Sequence, residues 1–228
     1  MAKVRDRHLG TIQGAVGDQV FKVRSGESYL AELPHLSGKT PSVKSVNARK
    51  KFGNTGKFAS AVNGLPSFKN LWDNVTPDRI SPYNGIFKAN YPFVSSSDVT
   101  DLASIVPFVN GFSVTTTTVS VSSTEIEVAI APIGTNAGID TSVELYIQLG
   151  AVIKCSDPVA DTVPGLYFIP VKSDNLSLNL TTALDFTATL SNQSASLYGA
   201  YSTHKTYLGL VTLTVDGKAV HFSSGFVH

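Results

Sequence analysis

Cysteine is almost missing from this sequence: Cys155 stands alone among 228 residues. One thiol closes no intrachain disulfide and builds no cysteine-based zinc centre, so a disulfide framework and a zinc ribbon are both excluded. A small, buried or half-buried side chain is the expected role for it. Charge is scarce too, at 15% of residues, where an average soluble domain carries roughly 25%. Long apolar runs are also lacking. Nowhere do the approximately 18 consecutive apolar residues of a spanning helix occur, so membrane insertion is not expected. The opening stretch MAKVRDRHLGTIQGAV is charged and holds no apolar core of a signal peptide. Synthesis in the cytoplasm is therefore expected, with a final place in an assembled particle or filament.

What replaces the missing charge is Ser, Thr, Asn and Gly. A Thr-, Ser- and Val-rich chain suits β-structure, because β-branched side chains pack well on a pleated surface. Low charge also suits a surface partly covered by neighbours. The charge that is present is unevenly placed. Residues 1–70 hold 12 Lys/Arg against 4 Asp/Glu, a net +8, while residues 71–228 hold 6 against 13, a net −7. Either an outside polyanion or the acidic part of another copy would complement the basic third.

Three modules are expected: a basic hairpin–helix arm over 1–65, an aromatic and proline-rich connector over 66–110, and a β-sandwich over 111–228. In VFKVRSGESYLAEL, Phe21 and Val23 alternate with Lys22 and Arg24, and Ser25-Gly26 supplies a turn, which together predict a hairpin. Gly10, Gly14 and Gly17 lack the strand, helix and Lys-Ser/Thr ending of a phosphate loop, so they read as turns. PHLSGKTP reads as a loop. Thr40 then offers an N-cap and Pro41 a first helical position, predicting one helix over roughly 41–62. Within it, Gly53 and Gly56 are costly unless something packs close against them. Residues 66–110 carry Phe68, Trp72, Tyr83, Phe87, Tyr91, Phe93, Phe108 and five prolines, and read as irregular. From residue 111 about seven strands follow at 10–15-residue spacing. The phase of FSVTTTTVSV changes within its Thr run and calls for a bulge. Asp216-Gly217 marks a hairpin, expected as a type I′ turn. The whole predicts a mainly β protein: an N-terminal hairpin and one helix, then an antiparallel immunoglobulin-like β-sandwich.

No residue set names a reaction. His8, His35, His204, His221 and His228 show no zinc spacing, and neither HExxH nor GxSxG occurs. Asp157 and Asp161 lack the alternating oxygen ligands of a calcium loop. Glu125 and Glu127 lie on one face of a strand and are expected to meet water. No catalytic residue, metal site or cofactor is expected. The stretch TPSVKSVNARKKFGNTGKFAS remains, with Lys44, Arg49, Lys50, Lys51 and Lys57 and, just upstream, Lys39. These cations suit either phosphates or an inter-subunit contact. Arg49, Lys50 and Lys51 span about 200° of a helix, too wide for one stripe. Phe52 and Phe58 suit base stacking, or the core.

Gly10, Gly14 and Gly17, then VFKVRSGESYL with Gly26 and Tyr29, Pro34, KTP, Arg49 and Phe52-Gly53, resemble a family of uncharacterised Bacteroidetes proteins, the domain-of-unknown-function family 6266. The likeness covers about the first 60 residues, and related N-terminal patterns occur among phage-type structural proteins. It implies a hairpin and basic helix ahead of a β-domain, in a virion or surface-assembly setting, and brings no activity. The resulting expectation is a non-enzymatic structural protein that assembles with copies of itself or other structural subunits, the basic arm docking on the acidic body of another copy. The alternative is a nucleic-acid-associated protein binding phosphates through residues 39–57. A third reading, carbohydrate or receptor binding, rests on Tyr198, Tyr201 and Tyr207.

Overall fold

The computed structural model describes residues 2–3, 14–16, 19–24, 27–32, 40–109 and 111–228. They divide between two compact units, Met1–Ser42 and Val43–His228. In the first unit β1 (Ala2–Lys3), β2 (Gly14–Val16), β3 (Gln19–Arg24) and β4 (Glu27–Glu32) form an antiparallel sheet in the order β1-β4-β3-β2. The expected hairpin is β3–β4, in register from Gln19↔Glu32 to Arg24↔Glu27. Its turn at Ser25-Gly26 lies outside the described residues, as do Gly10, Gly17 and residues 33–39, including Lys39.

The second unit opens with α1 (Val43–Asn63), the single helix expected over roughly 41–62. It starts two residues later than expected, so Pro41 precedes the helix instead of occupying its first turn. A larger difference follows. The 66–110 segment is not irregular but holds α2 (Pro66–Val75), α3 (Pro82–Asn90) and a 3-10 turn at Tyr91–Phe93. Two of the prolines behind the irregular reading are helix starters: Pro66 and Pro82 sit in first turns, where a missing N–H costs nothing. Ser81 caps α3 by accepting from the Asn84 N–H.

Nine strands complete the unit: β5 (Thr116–Val121), β6 (Glu125–Ile130), β7 (Glu144–Pro158), β8 (Leu166–Lys172), β9 (Leu176–Ser177), β10 (Leu184–Thr189), β11 (Tyr201–Thr214), β12 (Ala219–Phe222) and β13 (Phe226–Val227), with α4 (Asn192–Gly199) between β10 and β11. They make two antiparallel sheets. The larger runs β12-β11-β7-β8, with β13 on β11 and β9 on β7; the smaller runs β10-β6-β5. The expected bulge in the Thr run is present, as a register shift between Thr116 and Thr118. The Asp216-Gly217 hairpin also forms, but only Gly217 has a positive φ (75°). The turn is therefore not type I′. It is a three-residue loop with Gly in the left-handed position, closed by Gly217 N–H to Thr214 O (2.9 Å) and Thr214 N–H to Lys218 O (3.0 Å).

The mainly β, antiparallel character matches the sequence pattern, and the two facing sheets fit an immunoglobulin-like sandwich. The helices add a third layer. The smaller sheet buries Ile126, Val128, Ile130 and Phe186 against Ile147, Leu149, Ile153 and Leu208 of the larger one. On the opposite face of the larger sheet, α1 and α2 bury Phe58, Val62, Phe68 and Leu71 against Val152, Phe168, Tyr207 and Val211. Strands covered on both faces need no polar side, and so β7 and β11 lack clean alternation: Leu208, Gly209, Leu210 and Val211 are all buried.

One contact locks helix to sheet. Gly150 and Gly209 are cross-strand partners, and together they leave a notch on the helix side. A Cβ on Gly150 would lie 2.1 Å from the Phe68 ring. The ring fills the space over Gly150, and Val106 fills that over Gly209, where a Cβ would lie 2.7 Å from its side chain. Trp72 donates to Ile105 O (2.9 Å) and Tyr207 to Val99 O (2.8 Å), so the polar tips of both buried aromatics are satisfied.

Candidate interaction surfaces

The second unit carries most of the charge asymmetry inside itself. Residues 43–93 hold 8 Lys/Arg and 2 Asp/Glu, a net +6, and residues 94–228 hold 4 and 11, a net −7, leaving residues 1–42 at +2. The positive charge assigned to a separate arm belongs to the helical layer. Helix α1, expected in a 1–65 module with the hairpin, packs on the β-sheet of the acidic body.

Along α1 the five predicted cations do not act as one set. Lys44, Arg49 and Lys50 are exposed. Lys51 is half-buried, its Nζ 4.4 Å from the Tyr91 ring centre, a cation–π contact. Lys57 turns toward the sheet and donates to Leu166 O at 3.4 Å. The two phenylalanines part as well. Phe58 is fully buried, with its ring 5.6 Å from Phe168 and 5.3 Å from Tyr207. Phe52 is 62% exposed.

The partners of Phe52 come from α3, which the sequence reading missed. Tyr83 and Phe87 on α3 and Tyr91 at the start of the 3-10 turn that continues it recur every four residues and form one stripe. Phe52 meets Phe87 at 4.8 Å, Phe87 stacks on Tyr91 at 5.7 Å, and Tyr83 approaches Phe87 at 6.3 Å. Gly56 sits where a Cβ would be 3.1 Å from the Tyr83 hydroxyl, which accounts for one of the two helical glycines; Gly53 faces open space. The fourfold spacing was the available signal, masked by the prolines around it.

Two further surfaces are notable. Leu102, Phe108 and Val109 are 67%, 49% and 56% exposed, around a groove of about 500 Å³ that Phe93 and Val227 also line. Among the described residues, strand β5 pairs with β6 alone and forms one edge of the smaller sheet. Its sequence TTTVSV contains neither charge nor proline.

Elsewhere the titratable groups do structural work. Lys154, nearly buried, bonds Asp98 at 2.5 Å and anchors the 94–103 segment to the sheet; Lys205 pairs with Asp101 nearby. Partial burial pushes Asp98 up, but the Lys154 bond, the Val99 N–H and the charges of Lys154 and Lys205 outweigh it and hold the carboxyl below its ordinary value. Burial raises the Cys155 thiol to about 12, and it raises the Tyr207 hydroxyl, with Asp98 and Asp101 adding to the shift. A thiol so shifted is a poor nucleophile. Of the tyrosines weighed for sugar binding, Tyr201 and Tyr207 are core, and Tyr198 stacks on His204 at 3.6 Å.

The arrangement closest to catalysis is Glu144–His221. The buried Glu144 carboxylate accepts from the Asp140 N–H and from His221 Nδ1, both at 2.9 Å, and from the Thr212 hydroxyl. A carboxylate-oriented imidazole is two-thirds of a nucleophilic triad, but among the described residues no hydroxyl or thiol bonds its outer nitrogen. The trio instead ties the start of β7 to β11 and β12. No group of three His, Cys, Asp or Glu capable of holding a metal occurs among the described residues, and no described helix is long and apolar enough to cross a membrane. Set beside known proteins, the chain matches no family model, no curated protein and no solved structure.

Proposed function

We propose that this protein is a non-enzymatic structural subunit that assembles with copies of itself, and that the edge strand β5 is where copies join. The carrying observation is the bare edge. Six residues paired, among the described residues, on one side alone present a row of backbone donors and acceptors outward, a template for another strand. Edges are commonly blunted by lysine, proline or inward charge; β5 has none of these, and only its first residues are bulged. Antiparallel pairing of β5 with β5 of a second copy would join two three-stranded sheets into one of six. The pairing is isologous and gives a two-fold dimer, which the exposed apolar groove around Leu102 and Val109 extends toward larger assemblies.

Sedimentation velocity at physiological salt tests this reading. Dimers or larger species are expected for the wild type, and monomers for Thr118→Lys/Ser120→Lys. Both positions are exposed, and Ser120 lies opposite Glu127, so the fold tolerates the change. Wild-type protein that stays monomeric across the concentration range sinks the proposal.

A further inference from the structure

We infer that the α1–α3 face is a stacking platform for single-stranded nucleic acid. Recognition of a single strand without sequence preference needs two things: aromatic rings on which bases stack, and a cationic track for the phosphates. Both occur here on adjacent helices. Phe52 is 62% exposed and tilted 54° against Phe87, which stacks on Tyr91; Tyr91 is itself 36% exposed, with the Lys51 ammonium over its ring. Arg49 precedes Phe52 by three residues and so shares its side of α1; Lys44 on α1 and Lys88 on α3, next in sequence to Phe87, are exposed as well. Neither helix contains an acidic residue.

The chemistry favours a nucleic acid over an acidic protein surface. A large aromatic is normally buried, and one held 62% exposed amid cations is matched by a flat, negatively charged partner. The acidic outer face of the smaller sheet, with Glu127 and Asp185, offers carboxylates but no ring for Phe52. Duplex DNA hides its bases and would engage only the cations. The inference is independent of assembly through β5, since the helices cover the opposite face of the larger sheet.

Fluorescence anisotropy with a labelled oligothymidine tests it, using full-length protein and, in parallel, the Thr118→Lys/Ser120→Lys variant so that assembly does not enter. Binding is expected to weaken steeply with salt, by a slope of about −0.7 per phosphate contacted. Phe52→Ala should bind roughly tenfold more weakly, the loss of one base stack, with an unchanged melting temperature. Arg49→Gln should instead reduce the salt slope by about one contact. Absence of binding at low salt overturns the proposal. So does equal affinity of wild type and Phe52→Ala, which would leave only diffuse electrostatics, and so does competition by polyglutamate as effective as by unlabelled oligothymidine, which would assign the face to an acidic protein.

Discussion

The two ends of helix α1 obey different rules. From Thr55 onward it is a packing element: Thr55, Phe58, Ala59, Ala61 and Val62 are buried against the larger sheet and its neighbours. Before Thr55 none of its residues is buried, and four of its five cations lie there. Six residues separate a fully buried Phe58 from a mostly exposed Phe52. The lesson is that amphipathicity need not run the length of a helix. Where a helix overhangs its sheet, side chains of similar type and spacing change from core to surface.

The largest test of this contrast is Phe58→Ala, which removes a ring lodged between Phe168 and Tyr207. A loss of about 3–5 kcal/mol in denaturant unfolding is expected. Second comes the sheet beneath the packed half. Gly150→Ala places a methyl 2.1 Å from the Phe68 ring and should cost about 1–3 kcal/mol, with α2 displaced; an unchanged midpoint would mean that the notch is not filled as described.

A smaller effect concerns the segment against which the middle of α1 is tied, where Asn54 donates to Ser95 O (3.3 Å) and Ser96 O (3.2 Å). That segment is held by Asp98–Lys154. The folded-state value of Asp98 lies below its ordinary 3.8, so its contribution is complete above that value and is lost as pH falls through the folded one. Because the Asp98 side chain is 54% exposed, the contribution is at most about 1 kcal/mol. Acid unfolding of Lys154→Met should accordingly show a shallower pH dependence in the range below 3.8, and an identical profile would contradict the pairing. The smallest effect is Phe52→Ala, within about 0.5 kcal/mol of wild type; a loss as large as that of Phe58→Ala would erase the contrast between the two halves.

Much of the β architecture was legible in the chain because alternation and turn residues are local signals. The β3–β4 hairpin, the Thr-run bulge and the β11–β12 turn follow from them. Helices α2 and α3 did not, because five prolines made 66–110 read as irregular, although proline is as much at home in a first turn. The consequence reached the candidate site. With α3 unread, the Tyr83–Phe87–Tyr91 stripe was invisible, and Phe52 and Phe58 looked equivalent. The cations were found, but their division was not, because Lys51 and Lys57 find partners in Tyr91 and Leu166 that lie far along the chain. The third layer was hidden for a related reason: apolar runs in β7 and β11 are consistent with burial on two faces but do not say what covers the second.

Amide hydrogen exchange over residues 116–121 at low and high protein concentration decides whether copies join at β5. Outward-facing β5 amides should exchange fast in dilute protein and become protected as concentration rises, while β6 amides stay protected throughout. Exchange at β5 that is independent of concentration, in samples that sediment as dimers or larger, would contradict it and place the joint elsewhere.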